Sequence, residues 1–455
     1  MLKKTINPIA LLLTLFGAFS VFFAVALSLQ LRPIADDYCW GATTANYGFW
    51  GALNHWITTW TGDYTGVLST TLFTGVPLAI LPFEAASATT FLITQSLLGI
   101  LGFLLYWLVA GSRAPIPLPG ILFGLLIPSL WLVFWWSTSL GSMDQLNLQG
   151  PRSITHWQNI NSGYVILLAV ALIWLLLLLR LKVKNRITLI INGFGIGVWL
   201  GGSGLVISLL GGLVAFSLLA LSIGSSRSGV SRNFVWLAGP WFLSNTIGWL
   251  LAYTSSGTRA RRAVLGERTL DAGVFLDFIF PKAIIDWVEI LVSPGTILVF
   301  VLVFIVGGLL RTTIEKEEER SGFKWSGAIL LLSLILSIIS QAASFFSYDA
   351  FWHVTPSATL IFVSITVFSL VCGRASKTWL SAYSLWPRAS ILLVTVLISV
   401  GVLNTAFVDA QQRLLSWDSG PAPLTGMSDI EATGDWVDRC WRELGEFRDI
   451  PIRQP

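Results

Sequence analysis

An all-α, polytopic membrane protein with about eleven transmembrane helices is the fold class this sequence predicts, and three observations carry it. Hydrophobic residues make up 54% of the chain and charged residues 11%, where a soluble domain carries roughly 25% charged residues. The apolar residues gather into runs of the length that crosses a bilayer, about 20 residues. The 22 Trp residues suit a chain that meets the membrane–water boundary many times, where indole rings settle.

The first run, 8–30, follows Lys3 and Lys4. Ala24-Val25-Ala26 matches the small-residue pattern of a signal-peptide cleavage site, but the apolar stretch exceeds a signal-peptide core, so a retained helix is expected. Further runs lie at 88–110, 120–136, 164–181, 187–204, 205–224, 233–253, 294–310, 325–346, 356–372 and 389–407. Stretch 66–84, "GVLSTTLFTGVPLAILPFE", is apolar but interrupted by Gly75 and Pro77. It is read as a helix in the outer interface or a re-entrant piece. Counting it as a twelfth crossing would put the basic loop "RLKVKNR" (180–186) outside.

With eleven crossings, "RLKVKNR", "SSRSGVSR" (225–232), "RTTIEKEEERSGFK" (311–324) and "GRASK" (373–377) all share the side of the N-terminus. Positive charge in short loops marks the cytoplasmic side. Of the acids, only Glu315, Glu317, Glu318 and Glu319 fall there. The long segments 31–87, 137–163, 254–293, 347–355 and the tail face the other way, and long loops in a compact protein tend to be functional. Residues 1–407 are therefore read as one transmembrane module in the cell membrane, with 408–455 as a short extracytoplasmic tail.

Several function classes lose ground. The net charge of +4 comes from basic residues scattered among loops without a stripe, which excludes nucleic acid as a partner. Three Cys and three His stand far apart, without metal-ligand spacing. No internal repeat supports an inverted-repeat transporter. The apolar runs hold no Asp, Glu, Lys or Arg at mid-depth, where transporters and proton pumps keep such residues. A lipid or polysaccharide transporter or flippase, and a non-catalytic membrane assembly protein, stand as rivals to an enzyme working at the outer surface.

Two clusters there could carry chemistry. Asp36 and Asp37, in "RPIADDYCWG", follow the first run, at what reads as a helix C-terminus, where carboxylates are electrostatically disfavoured. A carboxylate placed there against that penalty is a candidate general base, beside Tyr38. Arg259, Arg261 and Arg262, in "YTSSGTRARRAVLGER", emerge on the outer side, against the charge bias; guanidinium groups hold phosphate bidentately, although anchoring to anionic headgroups accounts for them too. The stretch "WTGDY" adds Trp60, Asp63 and Tyr64, a pairing of aromatic faces and carboxylate that suits sugar rings, though Trp is also an ordinary interfacial anchor. His353, at an outer boundary near Asp349, is a weaker substrate contact. Cys39 and Cys440 both fall outside, where an oxidising compartment permits a bridge between them.

These stretches together resemble the GT-C superfamily of integral-membrane glycosyltransferases, which use polyprenyl-phosphate-linked sugars, and in particular its poorly characterised bacterial members. The resemblance rests on "ADDY" after the first helix, Trp56-x-x-x-Trp60-Thr61-Gly62, "SGYV" (162–165), "SSGTRARR" (255–262) and "RLLSWD" (413–418), in that order along nearly the whole chain. It implies that Asp36 or Asp37 is the catalytic base and that the arginines bind the donor phosphate. The acceptor would be a glycan, lipid or protein in contact with membrane lipids. A divalent metal, Mg or Mn, is compatible with the acids, and no spacing demands one. The chain departs from relatives in having "SSGTR" where Pro-Gly-Asn often precedes the arginine, Asp63 where an arginine often follows Trp-Thr-Gly, and no acid in "GGSGLVIS" (201–208).

Overall fold

A computed structural model describes residues 8–31, 33, 37–110, 118–136, 161–181, 183–224, 234–265, 273, 276, 280–308, 326–340, 354–376, 385–418 and 440. Among the described residues every regular element is a helix. In chain order they are α1 (Pro8–Ser28), α2 (Asp37–Thr59), α3 (Tyr64–Thr70), a π-helical turn (Thr71–Gly75), α4 (Val76–Ile80), α5 (Phe83–Ala110) and α6 (Leu118–Trp136). A second π-helical turn (Asn161–Ile166) leads into α7 (Leu167–Arg180), followed by α8 (Arg186–Gly201), α9 (Leu205–Gly224), α10 (Val235–Thr254) and α11 (Ser256–Leu265). Then come α12 (Phe280–Val292), α13 (Pro294–Gly308), α14 (Ser326–Ser340), α15 (Val354–Ala375) and α16 (Leu385–Asp418).

Each of the eleven predicted runs contains a helix, with the ends of the runs at 29–30, 181 and 202–204 outside it, but fewer qualify as crossings by length and hydropathy. Six helices do: 11–28, 83–109, 161–180, 205–223, 355–375 and 389–408, with α12 and α13 a seventh if their 51° bend is counted as one span. The shortfall has physical causes. Segments 120–136, 186–201 and 326–340 are shorter than a flat bilayer core requires. In α10, Trp236, Trp241, Ser244, Asn245 and Trp249 dilute the hydropathy of a 20-residue helix. The last helix also runs on to Asp418, so "RLLSWD" belongs to it.

The core gathers α1, α5, α6, α13, α15 and α16 around Trp131, Phe134, Trp135 and Phe362, all essentially without solvent contact. A second unit pairs α8 with α10. Gly193, Gly197 and Gly201, four residues apart, lie on the backbones of Leu237, Trp241 and Asn245, so a side chain at any of them would collide with main chain. Small residues at this spacing let two apolar helices approach closely, where dispersion replaces the hydrophobic effect as the source of association.

The helices have a basic end. There the Arg180 guanidinium lies 4.0 Å from the centroid of the Trp107 ring and Arg186 lies 5.4 Å from Trp236. Arg374 donates to the Val109 carbonyl, closing the C-terminal turn of α5. The turns between α8 and α9 and between α10 and α11 lie at the opposite end of the same helices, and the candidate site is built there.

Stretch 64–80 is helical throughout, with one irregularity that has a local cause. Pro77 lacks an N–H, so the Phe73 carbonyl loses its helical partner; the Thr90 hydroxyl of α5 donates to it instead. The π-helical turn just before Pro77 is the backbone's adjustment to that gap.

Candidate functional site

The first loop is organised by a fold-back. Two helical halves make up α2, and they join at Gly48, whose φ of 69° and ψ of 176° fall in a backbone region open in practice only to glycine. The halves return on each other, and the Trp40 and Trp56 rings stack at 4.4 Å between centroids. Asp37 and Trp60, far apart along the chain, are thereby brought to one end of a short helical hairpin. Cys39 and Cys440 are disulfide-bonded with Cα atoms 4.7 Å apart, fastening Cys440 to the first half of the hairpin.

Asp37 is the first residue of α2 and is fully buried. The expected electrostatic penalty is therefore reversed, because a carboxylate at a helix N-terminus is favoured by the free N–H groups and the helix dipole. Asp36 lies outside the described residues, as does His353. Tyr38 donates its hydroxyl to the Pro33 carbonyl at 2.8 Å and sets its ring edge against Phe83, which fixes the entry to α2.

The "WTGDY" stretch meets two turns from elsewhere in the chain. One is the start of α11. Ser255 caps that helix by accepting from the Thr258 N–H at 3.1 Å. The Thr258 hydroxyl donates to the Ala252 carbonyl at 2.7 Å and accepts from the Gly62 N–H at 2.9 Å. Side chains at Gly62 or Gly257 would collide with Ser255 and with the Ile57 carbonyl, so both glycines are required for the contact.

The second turn is "GGSG" (201–204), between α8 and α9. Thr65 donates its N–H to the Gly202 carbonyl at 2.9 Å and its hydroxyl to the Trp199 carbonyl at 2.8 Å. The Tyr64 ring covers Gly202 and its hydroxyl donates to the Val198 carbonyl at 3.3 Å. A Cβ placed on Gly204 would sit 3.4 Å from Asp63 Oδ2 and 3.8 Å from Tyr164 Cε1. Asp63 thus supplies a carboxylate beside the very turn whose own sequence lacks one.

Arg261 joins this group. Its guanidinium lies 5.5 Å from the Trp60 ring centroid and attracts the Asp63 carboxylate electrostatically. Although Asp63 keeps some accessible surface, protein atoms enclose its carboxyl, and this desolvation pushes its pKa above the ordinary value; Arg261 and the Thr61 hydroxyl pull it back only in part. Burial likewise raises the Tyr64 phenol. Arg259 is exposed, on another side of α11 from Arg261, and Arg262 follows in the same helix. The arginine cluster therefore divides, and Arg261 is the member set against the acid.

The sequence singles out Trp60, Asp63, Tyr64 and Arg261, and the structure gathers them. Tyr164 and Gly204 escape it as site residues, although they stand in "SGYV" and "GGSGLVIS", one a stretch that carries the family resemblance and the other a stretch that departs from it. Among the described residues no three or more His, Cys, Asp or Glu side chains gather as a metal site would need. Comparison with protein-family models, curated proteins and solved structures gives no match for this chain.

Proposed function

We propose that this chain is a membrane glycosyltransferase of the GT-C kind, moving a sugar from a polyprenyl-phosphate lipid to an acceptor hydroxyl on a glycan, lipid or protein at the extracytoplasmic face of the cell membrane. The observation that carries the reading is the meeting of Arg261, Asp63 and Trp60 at the bundle end that also receives the buried start of α2. A guanidinium steadied by an aromatic face and a carboxylate keeps donors in a fixed plane for a phosphate. The eleven-crossing arrangement with a cytoplasmic N-terminus belongs to the same proposal. It is supported by Arg180, Arg186 and Arg374 at the opposite end, and by a disulfide on the site's side, since such bonds persist in oxidising compartments.

The reaction is a single displacement. Asp36 or Asp37 takes the proton from the acceptor hydroxyl as its oxygen bonds to the anomeric carbon. The bond from that carbon to the phosphate oxygen breaks, and its electron pair leaves with the polyprenyl phosphate. Arg261, the arginine set against Asp63, offsets the charge that develops there, Arg259 and Arg262 adding only to the positive field of the same helix, while Trp60, Asp63 and Tyr64 contact the sugar. No step is routed through a metal.

Membranes carrying Asp36→Asn, Asp37→Asn or Arg261→Ala, supplied with a panel of polyprenyl-phosphate hexoses and pentoses, test this. Loss of the base is expected to slow transfer by roughly 100- to 10,000-fold. Undiminished transfer by both Asn variants sinks the base assignment. Substituted cysteines in 254–265 that react only from the cytoplasmic side overturn the location.

A further inference from the structure

Of the six helices that qualify as crossings, α16 turns the smallest share of its span, about a third, toward the rest of the described structure. Its inward side carries Leu392, Ser399, Leu403 and Ala406, all buried. Its outward side is exposed at Ser390, Val394, Leu397, Gly401, Asn404 and Val408, all within the span 389–408. These positions alternate steps of four and three residues. That spacing keeps a seam facing a second helix that lies alongside at a shallow angle.

Two of the six are out of character for a surface that meets only lipid tails. Among the described residues the Asn404 amide has no hydrogen-bond partner, whereas the neighbouring Thr405 closes its hydroxyl onto the Val402 carbonyl at 2.6 Å. Asn404 stands four residues, about 6 Å, inside the end of the span at Val408. Its side chain is too short to reach the headgroups as lysine and arginine do. Gly401, one turn earlier, is open: a Cβ there would meet nothing within 4 Å. No contact within the chain demands this glycine, and it weakens the helix that holds it.

Together these residues choose the occupant. A lipid tail offers an amide neither donor nor acceptor, so Asn404 covered by lipid stays unsatisfied at a cost. The valines and leucine of the seam select no partner, because lipid tails are as apolar as they are. A second copy of this chain answers both points. Copies in one membrane share an orientation, so a two-fold axis along the membrane normal brings the same face of α16 together, residue to residue. Asn404 then meets Asn404 at equal depth, and an amide is its own complement, donating through Nδ2 and accepting through Oδ1. Gly401 removes bulk one turn away and lets the two backbones close.

We infer that the chain forms a parallel, two-fold dimer through the outward face of α16, with the two Asn404 amides hydrogen-bonded to each other inside the membrane. The dimer goes beyond the transferase reading and does not depend on it.

The test uses the full-length protein, carrying a donor or an acceptor dye at its N-terminus, in phosphatidylcholine vesicles over a range of protein-to-lipid ratios. Energy transfer between copies gives the dimerisation constant. Asn404→Leu is expected to weaken it by about 3- to 30-fold, the range of an intramembrane hydrogen bond, and Asn404→Gln to restore most of the loss. Gly401→Leu is expected to weaken it as well. Its new side chain starts in open space, so the thermal midpoint of the dilute protein should not fall. In a Cys372→Ser background, Leu397→Cys copies are expected to cross-link under mild oxidation. Leu243→Cys copies, altered on the exposed side of α10, are expected not to. A wild type that stays monomeric across the range overturns the dimer. Association that both Asn404→Leu and Gly401→Leu leave intact overturns the interface, as does cross-linking at Leu243 as strong as at Leu397.

Discussion

Asp63 is the residue at which stability and use pull apart. Enclosing its carboxyl raises its pKa, which means that the ionised form is held in the folded protein at a cost that Arg261 and Thr61 only partly offset. The sign follows from proton binding. A carboxyl with a raised folded-state pKa costs stability above that pKa, and the cost disappears below its ordinary value of 3.8. Asp63→Asn is therefore expected to raise the thermal midpoint at neutral pH, with the gain shrinking as pH falls toward 4. Melting curves of both proteins across that range check it, and a variant less stable than the wild type at pH 7 refutes it. A group retained against its own stability is a mark of a working site. The sequence displays this aspartate, but its neighbours Gly204 and Arg261 lie far along the chain. No local pattern announces that two distant turns converge on the stretch that holds it.

At the scale of elements, the helices are legible in the sequence and their bends are not. Hydrophobic runs mark the long apolar helices, because burial in lipid leaves a compositional trace, but none of them covers the 23-residue α2. Gly48 leaves none: it is one glycine in an aromatic, partly polar stretch, yet it folds α2 back so that Trp40 meets Trp56. A Cβ there would meet nothing within 4 Å, so Gly48→Ala isolates the backbone effect from any collision. It is expected to cost about 1–3 kcal/mol, the strain of holding a non-glycine residue in that conformation. The near-ultraviolet circular dichroism of the tryptophan stack should weaken with it. An unchanged midpoint and an unchanged spectrum would mean that the hairpin does not depend on Gly48. The irregularity at Pro77 is visible for the opposite reason: proline's missing donor is written in the residue itself, and only Thr90's compensation has to be seen in three dimensions.

Over the whole molecule, two ends of different character emerge: arginines with tryptophans at one, and the hairpin with the turns at 201–204 and 255–258 at the other. The charge bias of the loops displays this polarity in one dimension, since each reversal of the chain changes side. The number of crossings is harder to read, because hydropathy does not distinguish a full span from a shorter helix leaning on its neighbours, as α8 does on α10. The bond between Cys39 and Cys440 holds the second end together. Cys440→Ser is expected to lower unfolding stability by about 2–5 kcal/mol, as expected for a native cross-link. Treating the wild type with reductant should reproduce the variant's melting curve, and coincidence of both curves with the untreated wild type would contradict it. Because its partners are separated by 401 residues, the bond also sets an order of events in biosynthesis. The first loop is made early and must wait unlatched until the last helix and the tail have been made. The hairpin that opens with Asp37 is thus among the first segments made and among the last secured, and a chain released before its tail arrives carries its acids on an unfastened loop.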